Sequence, residues 1–257
     1  MKFPFRISSR SRYERMKRSE MKCSEEAIEF YNRFSELQKT GQADDKILTA
    51  AALNTLLTAE AFSVIDVGAN QGDWSRAFLR RFPKAVIHAI EADPKTFELL
   101  RQNTAAQTNI HPVNLAVSSK TGKVSFYSHE NPLCSSMLNL PDARGKTRMM
   151  EVEAQTLDAF CAARKLDDVR FIKIDTEGHD LEVVKGARQI LKSPALEFIV
   201  LEFGIDSADQ RHVHVNELVA ALSPPGFQVQ ALGGFGFYDG YFYGNALFVK
   251  NKTKGLA

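Results

Sequence analysis

The chain has 257 residues, a composition that is ordinary for a globular protein, and a formal net charge of +2. This length allows one large α/β domain, with or without a helical extension. No apolar stretch approaches the ~20 residues of a membrane-spanning helix, which argues against an integral membrane segment, and three widely spaced cysteines favour a reducing cytoplasm over a disulfide framework.

Residues 1–60 are predicted to form a basic arm followed by two helices. Residues 1–22 contain eight Lys or Arg and two acidic residues. The rest of the chain is therefore slightly acidic, which argues against nucleic acid as its main partner. The arm could contact an anionic lipid surface or polymer, although a solvated terminus explains the same charges. Apolar residues at helical spacing predict helices over 24–38 and 45–60.

The segment from Phe62 to Arg81 predicts a buried strand, a tight glycine loop and an amphipathic helix. Gly68 and Gly72 allow the backbone to lie close to a ligand, and the helix behind them presents free N–H groups. Asp66 precedes the loop, and Asn70 stands where dinucleotide-binding loops carry their second glycine. A carboxylate at this mouth disfavours a pyrophosphate and favours a cationic ligand such as S-adenosyl-L-methionine.

A second apolar run, Ala85–Ile90, ends in Glu91, about 20 residues past the glycine loop. An acid at the tip of the second strand can accept hydrogen bonds from both ribose hydroxyls of a nucleotide. Asp93 and Pro94 then predict the start of another helix, as its N-cap and first helical residue. The alternative is an ordinary surface turn and a solvated acid. It does not explain why the glycine loop and Glu91 each follow a predicted strand at the spacing of a nucleotide site.

Strands and helices continue to alternate along the rest of the chain. Strands are predicted around 110–117, in a hairpin-like piece from 121 to 127, and over 149–154, 169–175, 198–203, 227–232 and 243–250, with helices over 94–104, 156–164, 180–192 and 213–222. Residues 129–146 predict a mobile loop and 233–240 a second, glycine- and aromatic-rich loop. This alternation predicts a doubly wound, mostly parallel sheet that is covered on both faces.

Several of these stretches together resemble the FkbM family of S-adenosyl-L-methionine-dependent methyltransferases. The matching stretches are Asp66–Gly72, Glu91–Pro94 with Phe97 and Asn103, Asn114–Ser118, Thr156–Asp158 and Ile172–Asp180, in family order over roughly residues 60–205. Ala92 stands where the family usually has proline. The resemblance implies a methyltransferase domain over 61–257 with a Rossmann-like class I sheet of seven strands, the last antiparallel. It also implies O-methylation of a hydroxyl on a sugar, a glycan or a small natural product.

In that topology Asp175 ends the fourth strand, beside the first, and should face the transferred methyl group. We expect Asp175 to act as the base or as a carboxylate that orients the acceptor, with Glu177 and His179 assisting. Asp175 could instead only anchor the ammonium group of the cofactor, Glu177 could only shape the turn, and His179 could only cap the next helix. Glu202 could face the same site or be an exposed carboxylate at the edge.

The resemblance further implies that Asn114, Ala116 and Val117 line the adenine side of the cofactor. The full expected set for S-adenosyl-L-methionine is Asp66, Gly68, Asn70, Gly72, Glu91, Asn114, Ala116 and Val117, with no metal ion. One alternative is a metal-dependent hydrolase that uses Asp175, Glu177, His179, Asp180 and Glu202, but it leaves Asp66 and Glu91 unexplained. A non-catalytic module that binds a nucleotide or glycan is the other alternative.

Overall fold

The computed structural model describes residues 51–57, 59–130, 135–139, 146–238 and 241–251. The basic arm and the helix predicted over 24–38 lie outside the described residues. Of the helix predicted over 45–60, the described part is a 3₁₀ helix at Ala51–Leu57, in which Leu53 and Leu56 are buried. No helix within the described ranges is long and apolar enough to cross a membrane.

Strands and helices alternate along the described chain, as predicted. The strands are β1 (Phe62–Val67), β2 (Ala85–Glu91), β3 (Ile110–Asn114), β4 (Ala116–Val117), β5 (Gly122–His129), β6 (Thr147–Gln155), β7 (Val169–Ile174), β8 (Phe198–Gly204), β9 (Phe227–Tyr238) and β10 (Tyr241–Lys250). The α-helices are α1 (Asp73–Arg81), α2 (Pro94–Asn103), α3 (Leu157–Arg164), α4 (Asp180–Lys185) and α5 (Val215–Leu222). Asp93 caps α2 and Thr156 caps α3 through side-chain oxygens that accept backbone N–H groups, which confirms both predicted helix starts.

Seven strands form the main sheet in the order β3-β2-β1-β7-β8-β10-β9. The first five of these are mutually parallel, and β10 runs antiparallel to both of its neighbours. The prediction of a doubly wound, mostly parallel seven-stranded α/β sheet is therefore confirmed. The reversal of strand order beside β1 places the carboxyl ends of β1, β2 and β7 around one crevice, where such folds bind their ligands.

The main sheet is covered on both faces at β1, because all six residues of this inner strand are buried. Alternate residues of β1 point to opposite faces, so Val64 packs into one hydrophobic cluster while Ile65 and Val67 pack into another. Both faces of a central parallel strand are apolar for this reason, which explains the continuous apolar run in the sequence. A charged residue within such a strand needs a buried partner.

A smaller sheet has the strand order β4-β6-β5. Its three strands all belong to the part of the chain between β3 and α3. The prediction of a single strand around residues 110–117 is wrong, because the chain leaves the main sheet after Asn114 and joins the smaller sheet at Ala116. The Asn114 side chain donates to the carbonyls of Glu91 (2.8 Å) and Ala92 (3.1 Å) at this change of sheet.

Two other predicted boundaries differ from the structure. The loop predicted over 233–240 is largely part of β9, because residues up to Tyr238 pair with β10, including Gly236 with Tyr243. The helix predicted over 180–192 ends at Lys185. A side chain at the following Gly186 would meet the Ser118 carbonyl oxygen at 2.2 Å, so the chain passes against a neighbouring backbone at that point.

Candidate active site

A cavity of about 600 Å³ opens at the carboxyl ends of β1, β2 and β7. Its walls come from the glycine loop after β1, the tip of β2, the β3–β4 turn, residues 135 and 137, and the start of the turn after β7. The volume lies within the usual range for a site that encloses a small organic ligand. The cavity therefore occupies the crevice that the strand order predicts.

The backbone of the glycine loop has positive φ angles, which glycine and asparagine tolerate better than other residues. Gly68, Asn70 and Gly72 all have positive φ angles, of 74°, 49° and 87°. A β-carbon on Gly68 would lie 1.8 Å from the carbonyl oxygen of Asp175, so only glycine allows these two backbones to touch. Gly68 and Asn70 line the cavity, whereas Gly72 precedes α1 and packs against α2.

Glu91 lies at the tip of β2, on the cavity wall, and is 7% exposed. Its two carboxylate oxygens accept the backbone N–H groups of Asn70 (2.9 Å) and Asp93 (2.8 Å). Burial raises the pKa of Glu91 to about 7, although both N–H groups oppose this shift. A carboxylate offers about four lone-pair sites, so acceptor capacity remains for the hydroxyls of a ligand.

The apolar wall of the cavity is formed partly by Leu115, Ala116 and Val117. Ala116 and Val117 were predicted to line the adenine side, and they lie where an apolar ring could pack. Asn114, predicted with them, supports the turn beneath Glu91 through its side-chain amide and does not contact the cavity. These assignments to a cofactor stay predictions.

Asp66 lies below the cavity instead of on its wall. It is fully buried, with Oδ2 accepting the Ser75 hydroxyl at 2.6 Å and Oδ1 3.3 Å from the Lys173 ammonium. The Asp66–Lys173 contact is an ion pair without the alignment of a hydrogen bond. The expectation of a carboxylate facing the ligand thus has no direct contact to support it, and the position of Asp66 indicates that it holds Lys173.

Lys173 was not predicted as a site residue, yet it contacts both the glycine loop after β1 and the Asp175 carboxylate after β7. Its ammonium lies 3.3 Å from Asp66, 3.1 Å from the Asp175 carboxylate and 3.3 Å from the Gly68 carbonyl oxygen. Burial opposes the charged form, but Asp175 and Asp66 outweigh it and raise the pKa of Lys173 above its usual range. The sequence signal was the charged residue inside the apolar strand β7, two positions before Asp175 and thus on the same side of the strand.

Three carboxylates meet at the end of the cavity beside β7. Oxygens of Asp175, Glu177 and Glu202 lie within 4.8 Å of one another. Asp175 and Glu177 line the cavity, and the side chain of Glu202 is 12% exposed. The structure therefore brings together two of the three predicted catalytic residues, and it places Glu202 at the site instead of at an exposed edge.

Glu177 stands in an uncommon backbone conformation, with a φ angle of 52°. Its carboxylate lies 3.1 Å from the Arg211 guanidinium, and burial together with the charge of Asp175 raises the pKa of Glu177 to about 8. Ser136, from the segment between β5 and β6, donates its hydroxyl to the Glu177 carbonyl at 2.8 Å. The strained residue is thus held at both its side chain and its carbonyl group, which is the usual circumstance in which such strain persists.

His179, the third predicted catalytic residue, lies outside this carboxylate cluster. Its Nε2 is 2.9 Å from the Ser118 hydroxyl, and burial lowers its pKa. It borders a second, shallower depression that also contains His212, and it precedes α4 without a side-chain capping bond. Asp180 accepts the Thr176 hydroxyl and the Gly178 N–H, and burial raises the pKa of Asp180 to about 6.

The three clustered oxygens are close enough to hold a metal ion, as the hydrolase alternative requires. Each carboxylate, however, already lies within ion-pair distance of a basic group: Lys173 for Asp175, Arg211 for Glu177 and His212 for Glu202. The Lys173 and Arg211 cations thus offset the charges of Asp175 and Glu177 without an ion, whereas the partner of Glu202 is an imidazole. His179, which that alternative included, is not one of the three.

Comparisons with known proteins agree with this geometry. The family model described as the methyltransferase FkbM domain matches residues 66–228. The 2-O-methyltransferase NoeI of Sinorhizobium fredii is 23% identical over 181 residues, which are 65% of this chain and 73% of that protein. The hexuronic acid methyltransferase AglP of Haloferax volcanii is 28% identical over 127 residues, which are 49% of this chain and 51% of that protein, so the match spans about half of AglP.

Solved structures with similarity to this chain include M. capricolum TrmK in complex with S-adenosyl-homocysteine, at 11% identity and a TM-score of 0.42 over 80% of this chain and 70% of that one. Another is a SAM-dependent methyltransferase from Aquifex aeolicus, at 15% identity and a TM-score of 0.40 over 84% of this chain and 98% of that one. The family match covers more than half of the chain and includes the glycine loop, Glu91 and the carboxylate cluster. The chain belongs to the FkbM methyltransferase family, and the protein is a methyltransferase.

Proposed function

We propose that the protein transfers a methyl group from S-adenosyl-L-methionine to a hydroxyl of a sugar, a glycan or a small natural product. The observation that carries the proposal is that the glycine loop and the carboxylate cluster share one cavity, with the Gly68 backbone packed directly on that of Asp175. A cofactor on the loop and an acceptor on the carboxylates would thus be held at adjoining positions.

The residues fit this cofactor in their donor and acceptor chemistry. Glu91 offers carboxylate oxygens to ribose hydroxyls, and the apolar wall at Leu115, Ala116 and Val117 suits an adenine ring. Any side chain on Gly68 would close the loop against Asp175, so the cradle requires a bare backbone. The cofactor supplies, when bound, an electrophilic methyl group on a cationic sulfonium, and a cation suits a cavity that the carboxylates of Asp175 and Glu177 line.

The chain's own residues would orient the acceptor and exclude water. Asp175 has one oxygen engaged by Lys173, which fixes the side chain and leaves the other oxygen to accept a hydrogen bond from an acceptor hydroxyl. Residues 135 and 137 reach the cavity from the β5–β6 connection, so we propose that this connection selects the acceptor. The relatives NoeI and AglP, by their names a 2-O-methyltransferase and a hexuronic acid methyltransferase, support a sugar as the acceptor class.

The close approach of the three carboxylates is the observation that favours a metal-dependent hydrolase, but other features of the described site weigh against both alternative functions. A metal-dependent hydrolase would need the carboxylate cluster free for an ion, whereas each carboxylate has a basic neighbour. A non-catalytic binding module would not require Glu177 to be held in a strained conformation beside the cavity. For the compartment, we propose the cytoplasm, in keeping with the unpaired, buried Cys161.

The test is methyl transfer from S-adenosyl-L-methionine carrying a labelled methyl group. Acceptors are a neutral hexose, a hexuronic acid, an amino sugar and a cell extract split into glycan, lipid and small-molecule fractions. We expect label in a carbohydrate, and the same yield with chelator present. A yield that falls with chelator and returns with a divalent ion would show that a metal ion assists the transfer, and no transfer in any fraction would overturn the proposed function.

The matched variant is Asp175→Asn, which keeps the shape of the side chain and removes its charge. An orienting or basic Asp175 predicts a rate that falls by ~10²-fold or more with little change in cofactor affinity. If Asp175 only anchors the ammonium group of the cofactor, the affinity should fall at least as much as the rate. Single-turnover kinetics and calorimetry with S-adenosylhomocysteine separate these two results.

A further inference from the structure

A histidine lies between two carboxylates directly behind the proposed acceptor position. The Nδ1 atom of His212 is 2.6 Å from Asp209 Oδ2, and its Nε2 atom is 3.5 Å from Glu202 Oε2. The His212 and Asp209 side chains are almost fully buried, at 3% and 1% exposure. None of the sequence patterns pointed to these two residues, which lie in the turn between β8 and α5.

The ring of His212 is fixed in place. The Asp209 carboxylate accepts hydrogen bonds from the Nδ1–H group of the ring and from the backbone N–H groups of Arg211 (2.9 Å) and His212 (3.2 Å). The Tyr243 ring stacks on the imidazole, with centroids 4.7 Å apart and an interplanar angle of 5°. A carboxylate accepts hydrogen bonds, so Asp209 holds a proton on Nδ1 and directs Nε2 at Glu202.

The gap between Nε2 of His212 and the Glu202 carboxylate has room for one proton. With Nδ1 protonated, neutral His212 presents a lone pair on Nε2, and an ionised Glu202 presents another on Oε2. Two acceptors that face each other do not bond, and 3.5 Å is longer than a formed hydrogen bond. A single added proton turns this contact into a hydrogen bond, which is charge-assisted when Nε2 carries the proton and neutral when Oε2 carries it.

We infer that Glu202 and His212 together form the general base that accepts the proton of the acceptor hydroxyl, with Asp209 and Tyr243 as the residues that position it. This inference rests on the proposed function. Transfer of one methyl group to a hydroxyl releases one proton: the O–H bond breaks as the oxygen gains the methyl carbon, and that proton enters the Glu202–His212 gap. A carboxylate oxygen of Glu202 lies within 4.8 Å of oxygens of Asp175 and Glu177, and these two residues line the cavity.

The other two carboxylates are less suited to this role. Asp175 is tied to Lys173, and Glu177 is tied to Arg211, and neither of these cations gives up its charge near neutral pH. The partner of Glu202 is instead an imidazole, which can gain or lose a proton there. Of these three pairs, Glu202–His212 is therefore the one in which the direct partner carries no permanent positive charge.

The charged groups around Glu202 favour proton uptake. Burial, followed by the negative charges of Asp175, Glu177 and Asp180, raises the pKa of Glu202 well above its usual range, and Lys173 opposes this only in part. The proton also has an exit, since His212 and Asp209 border the second depression. Water there can receive it between turnovers.

The experiment compares Glu202→Gln and His212→Gln with a control, His214→Asn. His214 lies close by but bonds only the Ile205 carbonyl and the first turn of α5, where asparagine also serves as an N-cap. The assay is single-turnover methyl transfer against pH, with an acceptor taken from the screen above. Calorimetry with S-adenosylhomocysteine checks cofactor binding, and circular dichroism checks folding.

We expect Glu202→Gln to slow transfer by ~10²-fold or more, and His212→Gln by ~10-fold or more with displacement of the acid limb of the pH profile. Cofactor affinity should stay within roughly 2-fold in both, and His214→Asn should match the wild type. In protein with ¹⁵N-labelled histidine, without acceptor, Glu202→Gln should move the ring signals of His212 and leave those of His214 in place.

Two results overturn the inference while leaving the proposed function standing. One is an active wild type with a His212→Gln variant of unchanged rate and pH profile, and the other is an Asp175→Asn variant that alone removes the acid limb. Wild-type protein that methylates nothing overturns the proposed function and the base with it. If His212→Gln does not fold, Asp209→Asn tests the same pair, because an amide at this position no longer fixes the proton on Nδ1.

Discussion

Replacement of Lys173 by methionine should destabilise the protein strongly, because it removes the charge that two carboxylates share. Methionine has nearly the same length and fits an apolar strand, so the change is one of charge rather than of volume. The Lys173 side chain is 7% exposed, and Asp66 beneath it is fully buried. After the replacement, Asp66 would retain the Ser75 hydroxyl but no positive neighbour.

The magnitude follows from the different exposure of the two carboxylates. Removal of one partner from a buried ion pair costs roughly 3–5 kcal/mol, because the other charge stays buried without compensation. The Asp175 side chain is 34% exposed, so water can replace the ammonium there, and this contact adds little. We therefore expect a loss of roughly 3–5 kcal/mol in the free energy of unfolding, a large share of the 5–15 kcal/mol typical of a folded protein.

The assay is urea unfolding followed by circular dichroism, with two comparison proteins. Arg170→Met lies on the same strand but breaks a more exposed pair with Glu197, so it should cost less than ~1 kcal/mol. The double variant Asp66→Asn/Lys173→Met removes both buried charges and should recover most of the lost stability. A loss below ~1 kcal/mol in Lys173→Met, or no recovery in the double variant, would refute the reasoning.

Three further predictions concern the cofactor half of the site. The folded protein holds the Glu91 proton more tightly than the unfolded chain, with a pKa of about 7 against 4.5, so stability should fall as pH rises from 4.5 to 7. Glu91→Gln should reduce that slope in urea unfolding at several pH values, and an unchanged slope would contradict the burial of this carboxyl. Gly68→Ala should abolish S-adenosylhomocysteine binding in calorimetry, because its β-carbon would lie 1.8 Å from the Asp175 carbonyl oxygen, whereas Gly122→Ala, which has a similarly unfavourable positive φ angle of 140° but nothing within 4 Å, should cost stability and leave binding in place. Trp74 lines the cavity, so S-adenosylhomocysteine but not NAD should change tryptophan fluorescence saturably, and an equal response to both would count against the cofactor.

The parts of this site that could be predicted from the sequence are those that local patterns determine. An apolar run, a glycine turn and an amphipathic helix place the loop, and an acid at the next strand tip places Glu91. The same logic found Asp175 and Glu177, since a buried strand ends just before them. Each of these features can be recognised from the residues immediately before and after it. The alternation of strands and helices then predicts that they lie at the same edge of the main sheet.

The remaining features depend on contacts between distant segments. The pairing of Asp66 with Lys173 follows from the register of β1 against β7, which no local pattern encodes. His212 and Asp209 lie in an irregular turn, and their role depends on Glu202 from β8 and Tyr243 from β10. The extension of β9 through a glycine-rich stretch was missed for a related reason, because pairing with β10 outweighs the low strand preference of glycine.

The contact between Gly68 and the Asp175 carbonyl has a consequence for engineering. These two positions cannot be varied separately, because any side chain on the loop displaces the backbone that carries the carboxylate. A library aimed at new acceptors should therefore leave this junction fixed and diversify residues 135 and 137, which line the cavity from the connection between β5 and β6. Variants drawn from that segment should change what is methylated while they keep the affinity for the methyl donor.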